Sequence, residues 1–291
     1  MKGVNKRVVL TWSAITCLGV IILVNIVFHP LTKSLAQSDS SQASLPGDTN
    51  KQQQQQQAQE KTQEEIVPPK DIPHQEESYP LPLGKLIDNI PTKDNKTVYI
   101  TFDDGPGEYT KEIAAILQKH NAHASFFWIG KQVTDELGQF GHQMIEQGNI
   151  IGSHTMRHDA LGKENGAKQK SDLTQTAKLI SNKVQHPIVY MRPPYGSVNK
   201  ETRVVAKELG EYIMFWQVDS LDWSLAHHPE KILANIKNGG VKPGSIILMH
   251  ERKQTVEMLP KVIEYLQGQG YTLAALPSSP VPKETKPKPK Q

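Results

Sequence analysis

From about position 97 the chain alternates short apolar runs with longer stretches of helical period. The runs 97–102, 124–129, 150–153, 188–191, 212–217, 245–249 and 271–274 are rich in Ile, Val, Phe, Tyr and Met and bounded by polar or turn residues, which predicts strands. Between most of them, 110–120, 134–147, 169–184, 200–209, 229–238 and 256–267 have the periodicity of helices. Ile113, Ile116 and Leu117 share one face, and Gly148 and Gly210 stand where helices should stop. Strands alternating with helices over roughly 180 residues predict a parallel α/β fold. Polar clusters follow or close several strands at their C-terminal ends, which a barrel gathers on one face and an open sheet spreads along a crevice. The expected architecture is a distorted (β/α) barrel of seven or eight strands over residues 81–277.

The pattern upstream is different. Residues 1–7 carry Lys2, Lys6 and Arg7, and 8–28 contain no Asp, Glu, Lys or Arg. At ~1.5 Å per residue that apolar run reaches ~30 Å, about one bilayer core. A single N-terminal transmembrane or signal segment is expected, with its basic flank cytoplasmic and the remainder exported. Ser34-Leu35-Ala36 before Gln37 has the small-residue pattern of a cleavage site. The run exceeds the ~7–15 residues of a usual signal, so a retained anchor is the reading preferred over a cleaved signal. Residues 29–80 are Gln-, Ser-, Glu- and Pro-rich and too poor in large apolar residues to form a core, so they are expected to be a disordered linker. Within it, the stretch from about Gln37 to Tyr79, as a flexible coil of ~45 residues, would span ~35–40 Å.

Charge and cysteine narrow the class. The net charge of +3 is confined to the ends: the first seven residues contribute +3 and the tail from Lys283 another +3, leaving −3 between. No nucleic-acid partner is expected. The tail, 278–291, alternates lysine with proline and is read as disordered, with contact to anionic wall polymers as the alternative. Cys17 is the only cysteine, lies inside the apolar run, and excludes an intrachain disulfide. Ala14-Ile15-Thr16 before it matches a lipidation site poorly.

Candidate chemistry centres on Thr101-Phe102-Asp103-Asp104-Gly105-Pro106, where two adjacent carboxylates leave an apolar strand at a Gly-Pro turn. Neighbouring carboxylates repel unless a cation or proton separates their roles. His154 and His158 are four apart, which would put both imidazoles on one face of a helical turn. Two imidazoles and a carboxylate make a three-ligand site for a borderline divalent metal. No His-Glu-x-x-His and no Gly-x-Ser-x-Gly occurs, so the usual zinc-protease and serine-hydrolase signatures are missing.

Five stretches in order, 101–106, 154–158, 192–196 (Arg-Pro-Pro-Tyr-Gly), 219–223 (Asp-Ser-Leu-Asp-Trp) and 248–250 (Leu-Met-His), resemble the motifs of the polysaccharide deacetylases, carbohydrate esterase family 4. The resemblance covers roughly 96–276. It implies a distorted (β/α) barrel and metal-dependent removal of acetyl groups from N-acetylated glycans. Carried over, Asp104, His154 and His158 hold the metal, and Asp103 is the general base with Arg192 as counter-ion. The backbone N–H of Tyr195 stabilises the oxyanion. His250 protonates the leaving nitrogen and is charged by Asp222, with Asp219 the weaker candidate. Trp223, Tyr195 and Leu248 line the sugar and acetyl subsites. Zinc is the expected ion, with cobalt, nickel and manganese as alternatives, since an Asp-His-His set accepts each.

Bland readings stand beside these roles. Arg192 could form a structural ion pair, and Trp223 could be core. His120, His123, His142, His186, His227 and His228 fit no ligand spacing and are read as surface or loop residues. Asn95-Lys96-Thr97 matches a glycosylation acceptor that is common by chance. The resulting expectation is an extracytoplasmic, membrane-anchored deacetylase of cell-envelope glycans, most simply peptidoglycan. Chitin oligomers, exopolysaccharide and a non-catalytic wall-binding protein are the alternatives.

Overall fold

The computed structural model of the protein describes residues 79–92 and 96–282. The apolar segment 8–28, the linker up to residue 78, Asn95 of the acceptor triplet and the tail from Lys283 lie outside them. In chain order the elements are β1 (Tyr79–Leu81), β2 (Leu86–Ile87), β3 (Thr97–Gly105), α1 (Thr110–Lys119), β4 (Ala124–Trp128), α2 (Asp135–Glu146), β5 (Ile150–Ser153) and α3 (Gly166–Val184). There follow β6 (Tyr190–Met191), α4 (Lys200–Leu209), β7 (Tyr212–Met214), β8 (Val218–Asp219), α5 (Glu230–Asn238), β9 (Ile246–His250), α6 (Lys253–Gly268), β10 (Thr272–Leu273) and β11 (Pro280–Pro282).

All six expected helices are present, and their starts have local causes. Thr134 caps α2 by accepting the Leu137 N–H, and Asn165 caps α3 by accepting that of Lys168. Asn199 and Thr202 cap each other's backbone at the start of α4. Gly210 ends α4 with φ +72°, a conformation glycine adopts without a Cβ clash.

The strand expectations need two corrections. The run 212–217 is not one strand: β7 stops at Met214, and Val218–Asp219 forms β8 against β9, at the far side of the sheet. The nine-stranded parallel sheet runs β2-β7-β6-β5-β4-β3-β9-β8, with β10 on the start of β3, and its ladder does not close. It is a curled half-barrel rather than a closed barrel. Laid flat, the seven strands from β7 to β8 would separate these two by about 29 Å. Only Phe215, Trp216 and Gln217 join them, and four Cα steps reach at most about 14 Å. The sheet must therefore curl, and the covalent chain bridges the gap where a hydrogen-bond ladder would otherwise stand.

The 86–90 segment crosses the same gap. Ile87 pairs with Met214, while Ile90 N–H donates to Gly244 O at 2.9 Å, just before β9. β1 and β11 form a separate parallel pair joining residues on either side of the expected 81–277 domain.

Two apolar layers hold the curl. Val98, Ile100, Phe102, Phe126, Trp128, Ile247 and Met249 face outward against Ile113, Leu117, Leu259 and Val262 of the helices. Phe102 and Phe126 stack at 5.2 Å between centroids. Each such buried side chain contributes about 1.5–3 kcal/mol. Tyr99, Phe127, Tyr190, Tyr212 and Ile246 face inward and meet Leu81, Ile87 and Leu276.

Candidate active site

Strand alternation places the site. Since Val98, Ile100 and Phe102 belong to the outer layer, Thr101 and Asp103 follow Tyr99 into the interior. On β9 the same rule turns Leu248 and His250 inward after Ile246. β3 and β9 pair with Asp103 opposite His250 and Thr101 opposite Leu248. An acid, an imidazole and an apolar side chain thus share the C-terminal end of the interior.

Asp103 is buried, and its Oδ1 accepts from Arg192 Nη1 at 2.8 Å. Arg192 is 0% exposed, and a guanidinium there must be paired throughout. Its Nη1 also donates to Thr101 Oγ1 at 2.8 Å, its Nη2 to Phe215 O at 3.0 Å, and its face lies 4.2 Å from the Phe127 ring centroid. The β7–β8 break is what frees the Phe215 carbonyl for this contact.

Asp104 turns the other way because its backbone is left-handed, with φ +70°. Its Oδ1 stands 3.1 Å from His158 Nε2 and 3.7 Å from His154 Nε2. The two histidines do not share a helical face as expected. They lie on a loop in which Thr155 and His158 have φ of +66° and +63°, and this folding brings the rings to 4.9 Å. His154 Nδ1 donates to Arg192 O at 2.7 Å, which leaves Nε2 as the acceptor facing Asp104. Burial holds the His154 imidazole below its usual pKa, against the pull of Asp103 and Asp104, so the neutral ligand form is favoured. Burial works against the charge of Asp104, yet the His158 contact and the fields of His154 and His250 hold its carboxyl well below the usual range.

These residues fit a divalent ion. Asp104 Oδ1 is buried without a hydrogen-bond partner, and the three donor atoms all lie within 4.8 Å of one another. Donors sharing one tetrahedral zinc stand about 3.4 Å apart. Among the described residues this is the one such cluster of His, Cys, Asp or Glu. Of the other histidines, His142 Nδ1 faces Val184 O and His228 pairs with Glu230.

His250 has its own carboxylate. Asp222 is 0% exposed; Oδ1 is 2.7 Å from His250 Nδ1, and Oδ2 accepts from His250 N–H and Thr255 Oγ1. Burial lowers the His250 pKa, but the Asp222 hydrogen bond and charge, with Asp103 and Asp104 behind, outweigh it and raise it overall. Asp219 is turned away and accepts the Leu221 N–H at 2.8 Å.

Around the rim, Tyr195 is 75% and Trp223 54% exposed, so Trp223 is not core. The Tyr195 ring meets His158 edge-on at 4.7 Å. Leu248 is buried beneath. Tyr195 and Leu221 also have positive φ. Among the described residues, five of the seven such non-glycine positions, Asp104, Thr155, His158, Tyr195 and Leu221, therefore fall at this one site. Each costs about 1–3 kcal/mol, strain held by the surrounding framework.

Several partners escape sequence inspection. Arg252 Nη2 donates to Asp104 Oδ2 at 2.8 Å, so each of the paired carboxylates has its own guanidinium. Asp172 on α3 accepts the Met156 N–H at 3.1 Å and thereby holds the histidine loop. Glu251 is buried, and burial pushes its carboxyl up to about 7, with Thr110 and Trp128 opposing. The one available signal was position: Glu251 and Arg252 directly follow His250 at a strand end.

A family model described as polysaccharide deacetylase matches residues 91–213. A peptidoglycan-N-acetylglucosamine deacetylase of Bacillus cereus is 33% identical over 192 residues, covering 63% of this chain and 70% of that protein. Among solved structures, the polysaccharide deacetylase Bc1974 from Bacillus cereus is similar with a TM-score of 0.58 and 31% identity, over 62% of this chain and 92% of that one. A CE4 family pseudoenzyme from Bacillus anthracis is similar with a TM-score of 0.61 and 27% identity, over 66% of this chain and 68% of that one.

Proposed function

This chain belongs to the polysaccharide deacetylase family, carbohydrate esterase family 4, and from that premise we propose that it hydrolyses N-acetyl groups of cell-envelope glycans, with peptidoglycan N-acetylglucosamine as substrate. One observation carries the reading: the Asp103–Arg192 pair and the His250–Asp222 pair flank the Asp104–His154–His158 set in one strand-end cavity. Asp104, His154 and His158 would hold a divalent ion, zinc in this reading, which would polarise the acetamide carbonyl and acidify water. Asp103 takes the proton of the attacking water, and Arg192 keeps its carboxylate fixed and compensated. The backbone N–H of Tyr195 steadies the oxyanion. His250, charged through Asp222, gives its proton to the sugar nitrogen, because an amine anion is too poor a leaving group. Trp223 and Tyr195 offer walls to the sugar ring, and Leu248 a seat for the acetyl methyl.

The pseudoenzyme relative shows that this scaffold also occurs without activity. The intact ligand set, base and acid in this chain support the active reading. Purified protein is expected to release acetate from peptidoglycan and from N-acetylglucosamine oligomers, to stop when treated with chelator, and to resume when zinc is returned. Acetate release unaffected by chelation would remove the metal from the reading.

The apolar segment 8–28 would hold the enzyme on the outer side of a bacterial membrane, with the linker giving reach into the wall. A mature mass beginning before Gln37 is expected, and one beginning at Gln37 would make the protein secreted.

A further inference from the structure

Glu251 lies outside the proposed chemistry, yet its buried side chain meets three elements of the site. Its backbone N–H donates to Asp103 O at 3.0 Å, extending the β3–β9 ladder one step past the Asp103–His250 pair. Its Oε2 accepts from Thr110 Oγ1 at the start of α1, and Thr110 Oγ1 in turn accepts the Gly107 N–H at 2.7 Å. Trp128, fully buried on β4, is close to the same carboxylate, but its Nε1 and Glu251 Oε1 make no hydrogen bond. The end of β3 crosses directly over it: a Cβ on Gly105 would stand 1.8 Å from Glu251 Oε1, so only glycine fits there. Thr110 is 0% exposed, and Glu251 Oε2 is the acceptor of its hydroxyl proton.

We infer that Glu251 is a positioning residue, a strut beneath residues 103–107 that fixes Asp103 and Asp104 relative to His250 on the neighbouring strand. The inference rests on the deacetylase reading for its kinetic consequence, but its geometric core does not. Because Asp103 and Asp104 both ride on the braced end of β3, loosening the strut shifts base and metal ligand together. The rim residues Tyr195 and Trp223, on other loops, stay where they are.

The test uses the full-length protein with Glu251→Gln, Thr110→Val and their double variant, and Thr110→Ser as the conservative control. A misplacement of this kind is expected to cost about tenfold in kcat, with KM within about twofold of the parent. The double variant should lose no more than the worse single one, since both cut one relay. Thr110→Ser keeps the hydroxyl and should restore the parent kcat. In the absence of glycan, zinc titrated against a chromophoric chelator should bind several-fold more weakly to Glu251→Gln and Thr110→Val. Parent kcat and zinc affinity in both variants, or a lowered Tm alone, overturns the inference. If the parent releases no acetate, the deacetylase reading fails, and the zinc titration still decides the strut.

Discussion

Replacing Asp103 with Asn is expected to lower kcat by about 10²–10⁴-fold while leaving the bound metal in place, the range that removal of a general base spans. The amide keeps the shape of the carboxylate and can still accept from Arg192 Nη1, but it cannot take a proton. The metal set lies on the next residue and on a different loop, so zinc content measured by mass spectrometry should equal that of the parent. Arg192 is fully buried and, among the described residues, loses the one carboxylate it pairs with. Breaking a buried pair costs about 3–5 kcal/mol, so a lower Tm is part of the expected result. The kinetic loss is therefore to be read at a temperature where the variant is folded by circular dichroism. A folded, zinc-loaded Asp103→Asn protein with full turnover would leave Asp103 with no part in the chemistry.

The second large effect concerns the acid arm. His250→Ala removes the proposed proton donor, and kcat should fall by about 10²–10⁴-fold. Asp222→Asn is more informative because it leaves the imidazole in place. The donating form of His250 is the imidazolium, present below its raised pKa and lost as pH rises through it. Without the Asp222 charge that pKa falls, so the alkaline limb of the kcat profile should move to lower pH. Profiles measured for parent and variant under zinc saturation decide this. An alkaline limb that stays put would mean that another group supplies the proton. Asp222 also holds the His250 N–H and Thr255, so some loss of stability accompanies the shift.

Much of this site was legible in the sequence for local reasons. The apolar runs and helical periods mark seven of the strand positions and all six helices of the described residues, because side-chain alternation acts within a few residues. The placing of Asp103, His154, Arg192 and His250 at strand ends follows from that pattern. What failed did so where local and distant demands compete. Residues 212–217 look like one strand, yet the Phe215 carbonyl is needed by Arg192 and Val218 by β9. His154 and His158 have helical spacing, but two left-handed residues in their loop aim them at Asp104 instead.

Taken alone, the order of residues determined the alternation of strand and helix, which donors and acids stand at strand ends, and the family they resemble. Tertiary structure decided the partners: Arg192 with Asp103 across 89 residues, Thr110 with Glu251 across 141, and Arg252 with Asp104 across 148. It also chose Asp222 over Asp219 for His250 and curled the sheet through the short β7–β8 bridge. The physical reason is range. Propensity and periodicity are set by neighbours along the chain, whereas a buried charge takes whichever counter-charge the packed layers bring within ~3 Å of it.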